Sequence, residues 1–259
     1  MKLKGKIVFI SGASSGIGEA TAKAFAQKGS NLILCARRKE KLDKLANELK
    51  KKYKIDIYTF KLDVRDKKAV EKSINEFPEK WKNIDVLVNN AGLSRGLDKL
   101  HEGLIQDWEE MIDTNVKGLL YLTRIIVPIM VKNNKGHIIN IGSTAGIHAY
   151  PGGNVYCATK AAVQFISNGL RQDVVDKAIR VTNIQPGMAE TEFSNVRFHG
   201  DNKKADSVYK GIKPLLAEDI ADIIVYTASV PAHVQICEVT VTPTNQATGG
   251  VIYKEGSFK

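Results

Sequence analysis

The sequence predicts one α/β domain: a doubly wound, mostly parallel sheet of seven strands with helices on both faces. Three observations predict it. Short β-branched runs recur along all 259 residues, helical patterns fill the intervals between them, and a glycine-rich turn stands at the first strand-to-helix crossing. The runs are nearly continuous in apolar residues, as expected of parallel strands covered on both faces. The alternation is sustained to the end with no Pro/Gly/Ser-rich linker and no repeat, which argues for a single domain over 1–259.

The first strand, KIVFI at 6–10, leads through the glycine turn into a helical pattern over 16–28, with Gly29 in the place of a C-terminal cap. NLILCA at 31–36 is the second strand. A helix over 40–52 follows, its Leu42, Leu45 and Leu49 spaced as one apolar stripe. Strands at 56–62 and 84–89 flank a helix over 66–77. A long helix over 107–132 precedes the strand 137–142, and another over 154–178 precedes the strand 179–184. The last pair is a helix over 217–229 and a strand over 237–242. One stretch breaks the rhythm: 187–214 is polar and irregular, with room for short helices. A long insertion at this point is a candidate substrate-binding lid.

Composition narrows the function classes. Hydrophobic residues at 43% and charged residues at 25% describe an ordinary globular chain and argue against disorder. The start, MKLKGKIVFISG, sets charges before an apolar run, but the run is about five residues, shorter than the roughly 7–15 of a secretory leader. No apolar run is expected to cross a bilayer, and no membrane partner is expected. Cys35, Cys157 and Cys237 are odd in number and far apart, which suits reduced thiols in a cytoplasmic protein. Five scattered histidines give no metal-ligand spacing, so no metal is expected. The net charge of +10 raises nucleic acid as a partner. The lysines, however, are mixed with acids on helical faces, as on a solvated surface, and no nucleic-acid groove is expected. A positive field also favours an anionic cofactor or substrate.

The turn after the first strand is SGASSGIG: Ser11, Gly12, Ala13, Ser14, Ser15, Gly16, Ile17 and Gly18. Small residues there let the backbone approach a pyrophosphate at a helix N-terminus, where free N–H groups and the helix dipole favour anions. A structural turn would share the spacing, but this one sits at the first crossover, where a nucleotide site belongs. Arg37 and Arg38 follow the second strand, about 20 residues beyond the glycines, where an NAD site places an acid for the ribose. Two arginines instead suit a 2′-phosphate, and hence NADP. Asp63 and Val64 end the third strand, where the Asp63 carboxylate could accept from the adenine amino group or serve as a turn or cap residue. Asn90, Ala91 and Gly92 end the fourth, small enough to pack around a cofactor.

Hydride transfer also needs an acid or base for the hydroxyl proton. Tyr156 and Lys160 stand one helical turn apart in NVYCATK. A phenol of pKa about 10 must fall roughly three units to act near neutrality, worth about 4 kcal/mol, and a nearby Lys160 ammonium is expected to supply it. Ser143, at the end of the fifth strand, could bond the reacting oxygen. Asn115, a poor helix former in mid-helix, is expected to distort that helix and hold water near Lys160. IGSTAG lacks the Gly-x-Ser-x-Gly of a hydrolase elbow. Cys157 lacks an oriented histidine and is better read as a packing residue.

These motifs, in this order along the whole chain, resemble the short-chain dehydrogenase/reductase family, with its Thr-Gly-x-x-x-Gly-x-Gly, Asn-Asn-Ala-Gly and Tyr-x-x-x-Lys; Ser11 replaces the usual threonine. The resemblance implies a Rossmann-type fold and a tetrad of Asn115, Ser143, Tyr156 and Lys160. In it Tyr156 is the acid/base, Ser143 orients the substrate, Lys160 also bonds the nicotinamide ribose, and Asn115 anchors a proton relay. It further implies that Pro186, Gly187 and Thr191 close over the nicotinamide. GHIINIGSTAG, YPGGNVYCATKAAV, ETEFSNVRFHGD and VTPTNQA are similar to the NADP-dependent 3-hydroxy acid dehydrogenases of that family. That narrower similarity implies a small anionic substrate, such as L-serine, L-allo-threonine, 3-hydroxypropionate or 3-hydroxyisobutyrate, and a homotetramer. A carboxylate needs a cation, for which Arg197 and Arg95 are the candidates. A broad carbonyl or 3-oxoacyl reductase, and a non-catalytic NADP-binding regulator, are the alternatives.

Overall fold

The computed structural model describes residues 2–254. In chain order the first half comprises β1 (Ile7–Ser11), α1 (Gly16–Gln27), β2 (Asn31–Ala36), α2 (Lys39–Tyr53), β3 (Ile57–Lys61), α3 (Lys67–Asn75), β4 (Val86–Asn89), α4 (Ile105–Ile112) and α5 (Leu119–Lys132). The second half comprises β5 (Gly136–Ile141), α6 (Asn154–Asp173), β6 (Ile179–Pro186), β7 (Ala189–Glu190), α7 (Phe193–Arg197), α8 (Asn202–Tyr209), β8 (Leu215–Leu216), α9 (Ala217–Ser229) and β9 (Glu238–Val241). Seven strands form the main sheet in the order β3-β2-β1-β4-β5-β6-β9, and each neighbouring pair is parallel. The chain moves outward from β1 to β3, then returns and moves outward from β4 on the other side. The crevice between the carboxyl ends of β1 and β4 is therefore the switch point, where ligands of such sheets bind.

Alternate side chains of each strand enter different cores. Val8, Ile10, Leu32 and Leu34 join Phe25, Leu42, Leu45, Ile220 and Ile224 on the face covered by α1, α2 and α9. Phe9, Ile33 and Leu87 join Val70, Ile74, Leu122, Ile126 and Met130 on the face covered by α3 and α5. That is why the strands read as continuous apolar runs. Each such residue contributes about 1.5–3 kcal/mol by leaving water. Asparagine interrupts the pattern near the strand ends: Asn89 and Asn140 pair across β4 and β5, and the Asn89 amide donates to the Asn140 carbonyl oxygen at 2.9 Å.

Three expectations for the helices are corrected. The long helix is not a uniform 107–132: it begins at Ile105 and passes through a π turn at Asp113–Gly118 before α5. Asn115 causes the distortion. Its carboxamide turns away from its own helix to accept from the Leu93 N–H and donate to the Leu93 carbonyl, each at 2.8 Å, and it donates to the Thr159 hydroxyl at 3.0 Å. The rod Ile105–Lys132 is also long and apolar enough to cross a membrane by length and composition, against expectation. Half of its most apolar window is buried in the fold, with Leu122, Ile126 and Met130 in the core. The second expected helix, 154–178, ends at Asp173.

Candidate active site

A cavity of about 720 Å³ opens at the carboxyl ends of the strands, within the range of small-molecule and cofactor sites. Gly12, Ser14, Ser15, Gly16 and Ile17 line it from the first turn. Arg37, Arg38, Asp63, Val64, Asn90, Ala91 and Gly92 line it from the ends of β2, β3 and β4. Ser143, Tyr156, Lys160, Pro186, Gly187, Thr191 and Arg197 complete the far side. Of the candidate catalytic, cofactor and substrate residues, Gly18, Asn115 and Arg95 stand outside the wall.

The first turn is built by close approach. Gly12 has φ +66°, and a side chain there would also meet the Ala91 Cα at 2.9 Å. Gly18 lets α1 pack onto the turn: a Cβ would lie 2.4 Å from the Gly12 carbonyl oxygen. Ser11 ties this turn to β4, its buried hydroxyl accepting from the Asn90 and Ala91 N–H groups at 3.1 Å. Asn90 acts in the same brace, because its amide donates to the Ser11 and Gly12 carbonyls at 2.9 and 3.2 Å.

The two arginines after β2 differ. Arg38 donates to the Ser14 hydroxyl at 3.2 Å and the Ser15 hydroxyl at 2.6 Å, so the glycine turn aims its guanidinium. Its Nη1 meets the Glu192 carboxylate at 2.7 Å, and Lys41 meets the other carboxylate oxygen at 2.9 Å. Hydrogen bonding from Lys41, joined by Arg38, holds the Glu192 carboxyl down at about 2. Arg37 is exposed at the rim and makes no hydrogen bond or ion pair among the described residues.

Asp63 does not present a free acceptor for an adenine. Both of its oxygens are taken by Arg65, at 2.6–3.1 Å through the guanidinium and the backbone N–H. Burial works to raise this carboxyl, and Arg65 overrides it, holding it below its ordinary value. The aspartate fastens a turn; the guanidinium two residues on uses up the lone pairs.

Tyr156 and Lys160 both lie on the buried face of α6. Ser143 Oγ faces the same cavity as Tyr156; it donates to the Pro186 carbonyl at 3.4 Å and accepts from the Ala145 N–H at 3.1 Å. Lys160 donates to the Ile141 carbonyl at 2.7 Å, and its Nζ stands 5.9 Å from the Tyr156 ring centroid. Lys160 is not among the leading influences on the Tyr156 phenol, although the one-turn spacing predicts it to be. Burial pushes the Tyr156 phenol above its ordinary value, and the cation that opposes this is Arg197. Lys160 is itself lowered to about 8 by burial, even though its ammonium donates to the Ile141 carbonyl. Asn115 is likewise spent on Leu93 and Thr159, so its side chain braces the loop after β4 against α6.

Arg197 and Arg95 separate clearly. Arg197 stacks over Tyr156 and Phe193, 5.4 and 5.3 Å from their ring centroids, and donates to the Tyr150 hydroxyl at 3.1 Å. Its buried Nε has no partner among the described residues. Arg95 turns away from the cavity, so it is not placed to hold a substrate. It bonds the Glu110 carboxylate at 2.6 Å and the Val196 carbonyl, and thereby pins α7 to α4. Arg197, favoured in sequence by its place in the 187–214 segment, is the one that enters the cavity. Residues of that segment line the cavity through α7 and α8, and β7 pairs with β8. Sequence reasoning missed Tyr150, Glu192 and Gln246, which also line it. Only Glu192 had a signal: an acid between Thr191 and Phe193, facing a basic cluster.

The model of the family described as short chain dehydrogenase matches residues 6–202. The chain belongs to this family. Its fold, one Rossmann-type domain, is that of a short-chain dehydrogenase. The enzyme is 48% identical over 246 residues to an NADP-dependent 3-hydroxy acid dehydrogenase of Salmonella typhi, covering 95% of this chain and 98% of the relative. It is 46% identical over 242 residues to sulfoacetaldehyde reductase 2 of Chromohalobacter salexigens, covering 93% and 95%. The closed form of a serine dehydrogenase complexed with NADP+ superposes with a TM-score of 0.91 at 46% identity, covering 95% of this chain and 98% of that one. This short-chain dehydrogenase is an NADP-dependent oxidoreductase acting on hydroxyl groups. Its own residues fit that cofactor: two glycines clear a cradle at the N-terminus of α1, and an anion, the Glu192 carboxylate, already rests on Arg38 and Lys41.

Proposed function

We propose that this enzyme interconverts a small 3-hydroxy acid, of the L-serine, L-allo-threonine, 3-hydroxypropionate or 3-hydroxyisobutyrate type, and the matching semialdehyde. The observation that carries this reading is Arg197: a guanidinium inside the cavity, against the Tyr156 ring, with a buried donor unpaired. A buried unpaired donor is costly, and a substrate carboxylate would satisfy it. Relatives named for 3-hydroxy acids and serine support the choice; one named for sulfoacetaldehyde carries another anionic head group.

Bound NADPH supplies a hydride to the carbonyl carbon, and NADP+ accepts one in the reverse direction. Burial keeps Tyr156 protonated, which suits it to donate its proton to the carbonyl oxygen during reduction. In oxidation the same oxygen takes the hydroxyl proton, and Arg197 and Ser143 are the groups that favour its anionic form. Ser143, which lines the same cavity as Tyr156, orients the reacting oxygen. Lys160 would hold the nicotinamide ribose of bound NADP(H), and Pro186, Gly187 and Thr191 would flank the nicotinamide. Asn115 acts by positioning the loop and helix that carry Gly92 and Lys160. Residues 187–214 serve as the lid. We also propose self-association as a tetramer, in keeping with exposed Ile112, Leu120 and Phe165 on the π-turn rod and α6.

The test follows NADPH absorbance with these hydroxy acids, and with neutral aldehydes, diketones and acyl thioesters in the reducing direction. Turnover of the hydroxy acids is expected, and Tyr156→Phe is expected to lower kcat by about 10²–10⁴ while NADPH still binds. Reduction of neutral carbonyls with no turnover of any hydroxy acid would replace this reading by a broad carbonyl reductase. Light scattering that gives a monomer would remove the tetramer.

A further inference from the structure

Arg38 and Lys41 form a seat for an anion at the place where a 2′-phosphate belongs, and the chain itself fills it. The Glu192 carboxylate spans the two cations at 2.7 and 2.9 Å, one oxygen to each. The Ser14 and Ser15 hydroxyls hold the Arg38 guanidinium in position from behind. A carboxylate and a phosphate cannot share two cations at such distances without strong like-charge repulsion. One must leave.

We propose that Glu192 is a cofactor-sensing latch: its carboxylate occupies the Arg38–Lys41 seat in the cofactor-free protein, the 2′-phosphate displaces it, and the N-terminal end of α7 is thereby released. The proposal rests on the reading that Arg38 holds the 2′-phosphate, and it adds Lys41 to that seat.

Three features fit a latch rather than a permanent clamp. The side chains of Arg38, Lys41 and Glu192 are 40%, 45% and 45% exposed, so the pairs are weak and exchange readily. A phosphate brings more charge and three oxygens to the same cations, so it wins the exchange. The carboxylate is tied to the chemistry through one short helix. Glu192 is the residue before α7, and Phe193, its first residue, packs on the Tyr156 ring at 5.6 Å. Arg197, its last, lies over the same ring at 5.4 Å. The C-terminal end of α7 is held independently, by Arg95 on the Val196 carbonyl and by the Gly96 N–H on the Arg197 carbonyl at 2.9 Å. Loss of the Glu192 contact therefore frees one end of α7 while the other stays fixed, as in a hinged strap. A cofactor without a 2′-phosphate leaves the latch closed. The same carboxylate thus links the identity of the cofactor to the helix beside the reacting tyrosine.

The test uses 2′,5′-ADP and 5′-AMP, which differ by the 2′-phosphate alone, with calorimetry for affinity and hydrogen exchange for peptides spanning 188–200. In the unmodified protein 2′,5′-ADP is expected to raise exchange in α7, and 5′-AMP is expected to leave it unchanged. Glu192→Gln is expected to show the raised exchange without ligand. It should bind 2′,5′-ADP about threefold to tenfold more tightly, with no gain for 5′-AMP. If 2′,5′-ADP leaves α7 exchange unchanged while Arg38→Ala still weakens its binding, the seat stands and the latch is wrong. If Arg38→Ala and Lys41→Ala both bind 2′,5′-ADP as the unmodified protein does, the phosphate seat is wrong and the latch falls with it.

Discussion

The Arg197 guanidinium lies 5.4 Å from the centroid of the Tyr156 ring and bonds the Tyr150 hydroxyl at 3.1 Å. A fixed positive charge therefore sits at the phenol that burial keeps protonated. Arg197→Met keeps a flexible, unbranched chain and removes the charge and the guanidinium donors. It is expected to lower kcat/KM for hydroxy acids about 10- to 100-fold, the worth of a charge-assisted hydrogen bond. A neutral aldehyde should lose far less, and steady-state kinetics on the two substrates checks the difference.

Arg38 and Arg37 are adjacent in sequence and unequal in place. Arg38 is oriented by Ser14 and Ser15, and Arg37 is held by no hydrogen bond among the described residues. Arg38→Ala should weaken NADPH binding about 10- to 100-fold and leave NADH binding nearly unchanged. Arg37→Ala should do much less. Fluorescence titration with both cofactors measures this.

Lys160 is a buried cation lowered from 10.5 to about 8. Between these values the unfolded chain binds the proton and the folded chain does not, so this group makes stability rise with pH from about 8 to 10.5. Below that window its burial costs about 3 kcal/mol. Lys160→Met is therefore expected to be inactive yet more stable than the unmodified enzyme at pH 7, with the gap narrowing above pH 8. Urea midpoints of both proteins across pH 7–10.5 give the result.

His137, on β5, is fully buried, its Nε2 at 2.8 Å from the Thr182 hydroxyl, which itself donates to the Ile236 carbonyl. Burial, aided by Arg180, holds its pKa well below 6.5. As pH falls below 6.5 the unfolded chain takes up a proton that the folded chain refuses, so stability should fall with it. His137→Leu removes that term and should flatten the loss between pH 7 and 5, read from thermal midpoints.

Gly18 admits no side chain, since a Cβ would stand 2.4 Å from the Gly12 carbonyl oxygen and 2.5 Å from Asn90 Nδ2. Gly18→Ala should cost about 1–3 kcal/mol of stability and weaken NADPH binding, because the clash pushes α1 off the turn. Calorimetric unfolding and cofactor titration check both effects.

Much of this was legible in the chain. Leu42, Leu45 and Leu49 lie buried along α2 as their spacing indicates, and Ser143, Tyr156 and Lys160 converge on one cavity from separate elements. The mid-helix position of Asn115 foretold a distortion, though not that its amide would be used up on Leu93 and Thr159. Asp63 looked like an acceptor for a base, but Arg65 takes its oxygens. The one-turn spacing of Tyr156 and Lys160 points to Lys160 as the tuning cation; in the fold burial acts most strongly on the phenol, and Arg197 is the cation that most opposes it. Proximity along a helix does not report depth, and depth decides the desolvation of a phenol.

By itself the sequence determined the alternation of strands and helices, the glycine turn at the first crossover and the one-turn spacing of tyrosine and lysine. These depend on periodicity and on steric rules that act over a few residues. Tertiary structure decided which arginine enters the cavity, which carboxylate is spent and which cation faces the phenol. Arg38 meets Glu192 across 154 positions, and Arg95 meets Val196 across 101. Such pairs are selected by the path of the segment after β6 over the strand ends. That path is set by how the whole sheet and its helices bury their apolar faces, which no short stretch of sequence encodes.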